Sequence, residues 1–193
     1  MTLIKFSPKL ANTISTVVIA SKNSKFDKLG LSPAEIKYIE QKIKDDEKAI
    51  VINQLTRIIT IKIIDSKKTG FALAETLRGD GATFGGLLNK HKYKEVQIVD
   101  LAGDHNHCLS LAEGMSLANY QFLKYRKEAK KETNSLTTIH LVIDKKHSSE
   151  ITDLNHVIEG TCIARTLVNE PQSYLTAEQF SKEMQAIGKR GGF

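Results

Sequence analysis

The chain has 193 residues, of which 40% are hydrophobic and 26% charged, and its formal net charge is +6. This is the composition of an ordinary soluble globular protein, and the length suffices for one well-buried domain with a short appendage. No run approaches the roughly 18 apolar residues that a membrane-crossing helix needs, and the N-terminal segment lacks an apolar signal core. We therefore expect a cytoplasmic protein without a membrane contact, in which Cys108 and Cys162 are reduced thiols.

Strand signals are short runs rich in β-branched residues. They predict strands at residues 2–6, 16–20, 95–101 and 136–143. The apolar runs 49–53 and 57–64 are separated by a short turn, so we expect them to pair as a hairpin.

The clearest helix start lies at residues 31–35. Ser32 can cap this helix, Pro33 stands where its missing N–H is harmless, and Glu35 completes a capping box. A second helix is predicted over residues 108–125, whose apolar residues recur at three- and four-residue spacing and form one continuous buried face.

A long helix is predicted over residues 151–168, and Ser148 or Ser149 can cap it. Its apolar face is wide enough that we expect cover on more than one side. The helix should end before Pro171, and Thr176 should begin another, short helix. Helices alternating with strands predict an α/β layered domain with a mixed sheet, and we place its boundary near residue 148.

The most site-like cluster is Gly-Asp-His-Asn-His-Cys at residues 103–108. Imidazole, thiolate and carboxylate groups are zinc ligands, but a structural zinc site normally draws on two separated pairs of ligands, and the sequence offers no second pair. We favour a simpler interpretation, in which Asp104 or Asn106 caps the following helix and the histidines lie at the exposed rim.

The glycine-rich stretch 79–86 invites a phosphate-loop interpretation, although it lacks the preceding strand and the terminal Gly-Lys-Ser/Thr of that motif. We favour a kinked or broken helix with close packing. Asp100, at a strand end, is expected to cap or to hold a turn, and His140 and His156 are expected to pack or to lie at the rim.

A basic cluster lies between residues 120 and 131, where five Lys or Arg residues stand against one acidic residue, Glu128. A basic helix end is usually a solvated terminus that suits the helix dipole. Contact with DNA is the alternative, because phosphate binding requires such charge.

Two stretches of the chain resemble the leucyl aminopeptidase family. The first is IARTLVNEP at residues 163–171, followed by Leu175-Thr176 and Phe180; the second is EGMSLANYQF at residues 113–122, continuing to Tyr125. In that family the first stretch lies where the N-terminal domain meets the catalytic domain. Ala177 replaces a common proline, and residues 172–174 replace a usual Ala-Asn turn, which affects the expected turn geometry.

The resemblance implies a macro-domain-like three-layer sandwich, with a mixed β-sheet flanked by helices and a C-terminal connecting helix. Residues 1–148 would be the N-terminal domain, 149–171 the connecting helix, and 172–193 the first residues of a catalytic domain that the sequence does not include. The whole protein would be a two-metal exopeptidase, with zinc or manganese, that releases N-terminal amino acids and assembles as a homohexamer.

The family's metal and catalytic residues belong to a motif, Asn-Thr-Asp-Ala-Glu-Gly-Arg-Leu, that this sequence lacks. We therefore expect no catalytic, cofactor-binding or metal-binding residue in this chain, which would be a non-catalytic structural or regulatory domain. Alone it should be a monomer or a weak dimer, with its own catalytic domain as its partner. The alternatives are a macro-type module that binds ADP-ribose and a basic domain that contacts DNA.

Overall fold

Six strands form one sheet in the computed structural model, which describes residues 2–65 and 67–192. The strands are β1 (Leu3–Ser7), β2 (Ser15–Ala20), β3 (Ala49–Asn53), β4 (Ile58–Ile63), β5 (Glu95–Asp100) and β6 (Thr138–Val142). Their spatial order is β1-β6-β5-β2-β4-β3, and the β3–β4 pair is antiparallel while the other four pairs are parallel. The mixed sheet and the predicted hairpin are both confirmed.

Helices cover both faces of this sheet. They are α1 (Pro33–Lys44), α2 (Gly70–Lys90), α3 (His105–Ala118), α4 (Ala129–Glu132), α5 (Ser148–Asn169) and α6 (Ala177–Gly191). None of the helices in the described ranges combines the length and the apolar character that crossing a bilayer requires.

Two hydrophobic cores lie on opposite faces of the sheet, and β2 contributes side chains to both. Val17 and Ile19 point into the core beneath α2, α3 and α5, whereas Val18 and Ala20 point into the core beneath α1. Because successive side chains of a strand alternate between faces, a central strand covered on both sides must be apolar throughout, which explains the run Thr-Val-Val-Ile-Ala. The α/β layers predicted from the sequence are therefore confirmed.

The start of α1 follows the sequence signal closely. The Ser32 hydroxyl accepts the backbone N–H of Glu35, and the Glu35 carboxylate accepts the backbone N–H of Ser32 at 2.7 Å. This reciprocal pair is the predicted capping box, with Pro33 at the first helical position.

We expected the glycine-rich stretch to break or kink its helix, but the helix is continuous there. Residues 79–86 lie within the continuous helix α2, which packs closely against α3. A β-carbon at Gly81 would overlap the Leu111 carbonyl, and one at Gly114 would overlap that of Arg78. The close packing is confirmed and the break is wrong, because two helices approaching this closely gain contacts that offset the low helix propensity of glycine.

Helix α3 ends sooner than its apolar spacing predicted. It stops at Ala118, and Tyr125 is more than half exposed in the following turn. The cause is Asn119, whose side-chain amide donates to the Thr2 hydroxyl and to the Leu136 carbonyl. These bonds fix the chain where it leaves the helix, so the spacing beyond residue 119 is not helical.

Helix α5 ends at Asn169, before Pro171, as predicted. It is less covered than we expected: Ile151 and Ile158 are buried against the sheet, whereas Val157 is 60% exposed and Val168 is 85% exposed. Helix α6 begins after Thr176, whose hydroxyl accepts the Gln179 N–H, but it extends over 15 residues and is not short.

Candidate functional site

The most site-like region lies at the carboxyl ends of β5 and β6. Because neighbouring parallel strands end at the same edge, the helices that follow them, α3 and α5, begin side by side. This edge of a parallel sheet is where α/β proteins commonly bind ligands. Residues from the two helix starts therefore converge, although more than 40 positions separate them in the sequence.

Three side chains meet there, and we call them the His–Glu cluster: His105, His147 and Glu150. His105 Nε2 lies 3.0 Å from Glu150 Oε2, and His147 Nδ1 lies 2.6 Å from Glu150 Oε1. The two imidazole rings are stacked, with centroids 3.5 Å apart and an angle of 19° between their planes. One carboxylate is thus held by two histidines, and all three side chains are only partly exposed.

The histidines also set the charge state of this carboxylate. The hydrogen bond from His147, followed by that from His105, holds the pKa of Glu150 below its ordinary value, and partial burial opposes them. Glu150 is therefore an anion at neutral pH, facing ring nitrogens from two different helix starts.

Asp100 serves the turn beside this cluster. Its carboxylate accepts the backbone N–H of Ala102 at 2.7 Å and that of Asp104 at 2.6 Å, and His107 Nδ1 lies 3.1 Å away. This hydrogen bond to Asp100 raises the pKa of His107, while burial works against it. The predicted turn role of Asp100 is confirmed.

Asp104 caps α3 by accepting the N–H of Asn106 at 2.9 Å, as the simpler interpretation of residues 103–108 predicted. The placement of the histidines was wrong, however: the side chains of His105 and His107 are 24% and 14% exposed and do not lie at an open rim. Cys108 points away from this cluster into the core, where it is fully buried. This burial raises the pKa of its thiol.

A polar cavity of about 310 Å³ opens beside the cluster. The residues around it come from both strand ends and include His105 and His147, so solvent and small ions that enter the cavity can reach the two imidazoles. Its polar lining includes Asp100, Asp104, His105, Asp144, Lys146 and His147.

The other sequence candidates lie elsewhere. His140 lies 3.0 Å from Glu95 on the neighbouring strand, and His156 is exposed on α5. The glycines of residues 79–86 belong to α2, and the cavity at Asp100 has no lining residue from that helix. Both cysteines are free, as predicted.

The basic cluster lies mainly in a turn, because the helix expected there ends at Ala118. Lys124 bonds to Glu170 at 2.7 Å, and its ammonium lies 3.6 Å from the centre of the Tyr174 ring. At least this lysine is engaged with the end of α5, so it ties the turn to the segment between α5 and α6.

Helices α5 and α6 leave apolar side chains facing outward. Val168, Phe180 and Met184 are between 44% and 85% exposed. Between the two helices runs a groove of about 310 Å³ whose apolar lining consists of Cys162, Ile163, Leu167 and Ile187. We call these residues and the three exposed ones the α5–α6 face.

Sequence reasoning found one half of the His–Glu cluster and missed the other. His147 and Glu150 carry no spacing motif with His105. The available signal was their position, since each half lies near the start of a helix that follows a predicted strand.

Comparisons with known proteins agree on one group. No family model matches the chain. A probable cytosol aminopeptidase of Clostridium perfringens is 31% identical over 114 residues, which are 55% of this chain and 23% of that protein. A second one, from Bradyrhizobium, is 28% identical over 141 residues, which are 70% of this chain and 28% of that protein. The chain spans about a quarter of the length of these curated relatives.

Solved structures show the same fold. A tomato leucine aminopeptidase variant matches 98% of this chain with 42% of its own, at a TM-score of 0.75 and 15% identity. A Trypanosoma cruzi leucyl aminopeptidase matches 99% of this chain with 42% of its own, at a TM-score of 0.63 and 16% identity. The bottromycin maturation enzyme BotP, solved in complex with Mn, matches 94% of this chain with 37% of its own, at a TM-score of 0.64 and 16% identity. The predicted resemblance is confirmed, and the fold is that of the leucine aminopeptidase N-terminal domain.

Proposed function

We propose that the chain is the non-catalytic N-terminal domain and connecting helix of a leucyl-aminopeptidase-like metallo-exopeptidase. Residues 1–148 are the domain, which we take to be macro-like, 149–171 the connecting helix, and 172–193 the opening of the catalytic domain. The observation that carries this proposal is the fold match, which runs along 98% of this chain but only 42% of the tomato enzyme. Peptide hydrolysis, with its two zinc or manganese ions, belongs to the remaining part of such a protein.

The role we assign to this chain is to hold and orient the catalytic domain. Its contact is the α5–α6 face, whose exposed valine, phenylalanine and methionine side chains would leave water on docking. The occupant is the remainder of the catalytic domain of the same polypeptide, because residues 172–193, which we assign to the opening of that domain, include α6 and so keep the domain beside this face. We further propose that the whole protein is cytoplasmic and hexameric, and that the isolated chain is monomeric or weakly associated.

An antiserum raised against the 193-residue chain tests this proposal in lysate of the source cells. We expect it to detect a polypeptide of about 500 residues, since 114 aligned residues make up 23% of the Clostridium relative. The immunoprecipitate should hydrolyse leucine p-nitroanilide when Mn²⁺ is added. A band of the size of this chain alone, without peptidase activity, would contradict the proposal.

The isolated chain supplies the matched control. With added Mn²⁺ we expect it to release no p-nitroaniline above the level of a heat-denatured sample. Turnover that survives further purification and scales with chain concentration would place the chemistry in this segment and would refute the non-catalytic role.

A further inference from the structure

We propose that the His–Glu cluster binds one zinc ion through His105, His147 and Glu150. This goes beyond the aminopeptidase chemistry proposed above and departs from our sequence-based expectation that the chain contributes no metal ligand. The ion would join the start of α3 to the start of α5, and so would fix the connecting helix to the domain.

The donor atoms are already close to the spacing that zinc requires. One donor from each of the three side chains lies within 4.8 Å of the other two. In a tetrahedral site with bonds of about 2.0–2.1 Å, neighbouring donors are about 3.3 Å apart. To reach that geometry the two imidazole rings, now stacked with centroids 3.5 Å apart, would have to turn apart so that a nitrogen of each faces the same ion.

The donor types match zinc better than they match other common divalent ions. Two imidazole nitrogens and one carboxylate oxygen form a ligand set known from zinc sites with three protein ligands, whereas Mg²⁺ and Ca²⁺ favour oxygen donors. A water molecule from the adjoining cavity of about 310 Å³ can complete the tetrahedron. The cavity also gives the ion a path of entry.

The present hydrogen bonds show how the ion would be accommodated. His105 and His147 each direct one ring nitrogen at the Glu150 carboxylate, and a cation placed between them would take over the role of the bridging hydrogens. Each imidazole would then carry its proton on the other nitrogen. For His105 that nitrogen is Nδ1, which lies 3.8 Å from Asp104 Oδ1, beyond hydrogen-bond distance in the present geometry. A turn of the ring towards Asp104 would let this carboxylate orient the zinc-bound imidazole, as carboxylates commonly do in zinc sites.

The cluster is held in place by well-packed neighbours. Leu111, nearly two turns into α3, and Ile151, about one turn into α5, are buried in the same core. The helix starts are therefore fixed relative to each other before any ion binds, which reduces the entropy lost on binding.

Calorimetric titration of the metal-free 193-residue chain with Zn²⁺ at pH 7.5 tests this inference. We expect one ion per chain. His147→Ala and Glu150→Gln should each weaken binding by about tenfold or more, given the 10–100-fold effects known even for indirect ligand partners. Glu150→Gln is nearly isosteric, so it keeps the test valid if His147→Ala fails to fold.

His140→Ala is the matched control, because His140 forms the same kind of pair with Glu95 at 3.0 Å but lies outside the cluster. It should bind zinc as the unaltered chain does. Zinc should also raise the melting temperature of the unaltered chain and of His140→Ala, and raise that of Glu150→Gln by less at the same zinc concentration. Absence of stoichiometric binding, or equal affinity in all variants, would overturn the proposal.

Discussion

Gly114 in α3 lies directly against the backbone of Arg78 in α2, so that a β-carbon at Gly114 would overlap the Arg78 carbonyl. The same helix pair has a second close approach, between Gly81 and the Leu111 carbonyl. The two glycines are therefore required by the packing of α2 on α3, and this helix pair in turn sets the position of His105 at the start of α3.

Replacing Gly114 by alanine should destabilise the chain. The methyl group would force the helices apart, which typically lowers the free energy of unfolding by about 1–3 kcal/mol or more. Gly79→Ala is the matched control, since nothing lies near its β-position, and it should stabilise α2 by about 0.4–1 kcal/mol. Urea unfolding measures both, and equal stability of the two variants would show that the helices do not approach this closely.

Helix α5 should depend on Ile158 and not on its neighbour Val157. Ile158 is completely buried in the core, whereas Val157 is 60% exposed. Ile158→Ala should lower the free energy of unfolding by about 2–5 kcal/mol because it leaves a cavity. Val157→Ala should change it by less than about 0.5 kcal/mol. If urea unfolding showed similar decreases in the free energy of unfolding for both variants, α5 would have to be rotated about its own axis so that both side chains are buried.

Glu170 should titrate below the ordinary range of a glutamate. Burial alone would raise the pKa of this carboxyl group, but hydrogen bonds from Lys124 and Tyr125 outweigh it and lower the pKa. A depressed carboxyl pKa stabilises the fold fully above the unfolded value near 4.5, and this contribution is lost as the pH falls through the folded value. Acid should therefore loosen the link between the 120–128 turn and the end of α5.

Carboxyl ¹³C shifts of Glu170, followed by NMR across this pH range, measure that pKa. Lys124→Met should raise the pKa of Glu170. Lys131→Met removes the partner of Glu128 instead, and should leave the pKa of Glu170 unchanged. An unaltered Glu170 titration in Lys124→Met would rule out the pairing in solution.

ADP-ribose should produce no binding heat in calorimetry with this chain. The alternative of a nucleotide-binding module depended on glycine N–H groups near residues 79–86 and on Asp100. The glycines lie within α2, where helical bonds use their N–H groups, and the Asp100 carboxylate is engaged by two backbone N–H groups and His107. A saturable heat signal at millimolar ligand or below would restore that alternative.

Local sequence signals predicted the elements that depend on local chemistry. The capping box of Ser32 and Glu35, the strands rich in β-branched residues, and the end of α5 before Pro171 all require only residues a few positions apart. The signals failed where distant residues decide. Asn119 ends α3 through bonds to Thr2 and Leu136, and no spacing rule contains those partners.

The candidate site illustrates the same limit. His105 was visible as part of a polar cluster, but its partners His147 and Glu150 join it only because β5 and β6 are parallel neighbours. Strand order is a property of the whole sheet, so it could not be read from either segment alone.

The edge strand β1 is translated long before the residues that pair with it. The Asn155 side chain accepts the N–H of Ile4 at 3.1 Å and donates to the Ile4 carbonyl at 2.9 Å, which satisfies the outward-facing backbone groups of β1 at that residue. Translation delivers Ile4 first and Asn155 151 residues later, roughly 8–30 s afterwards at common elongation rates. The nascent strand lacks its pairing partner until β6 is made and lacks the Asn155 cap for a further 13 residues, so its edge is open to pairing with other chains during that time.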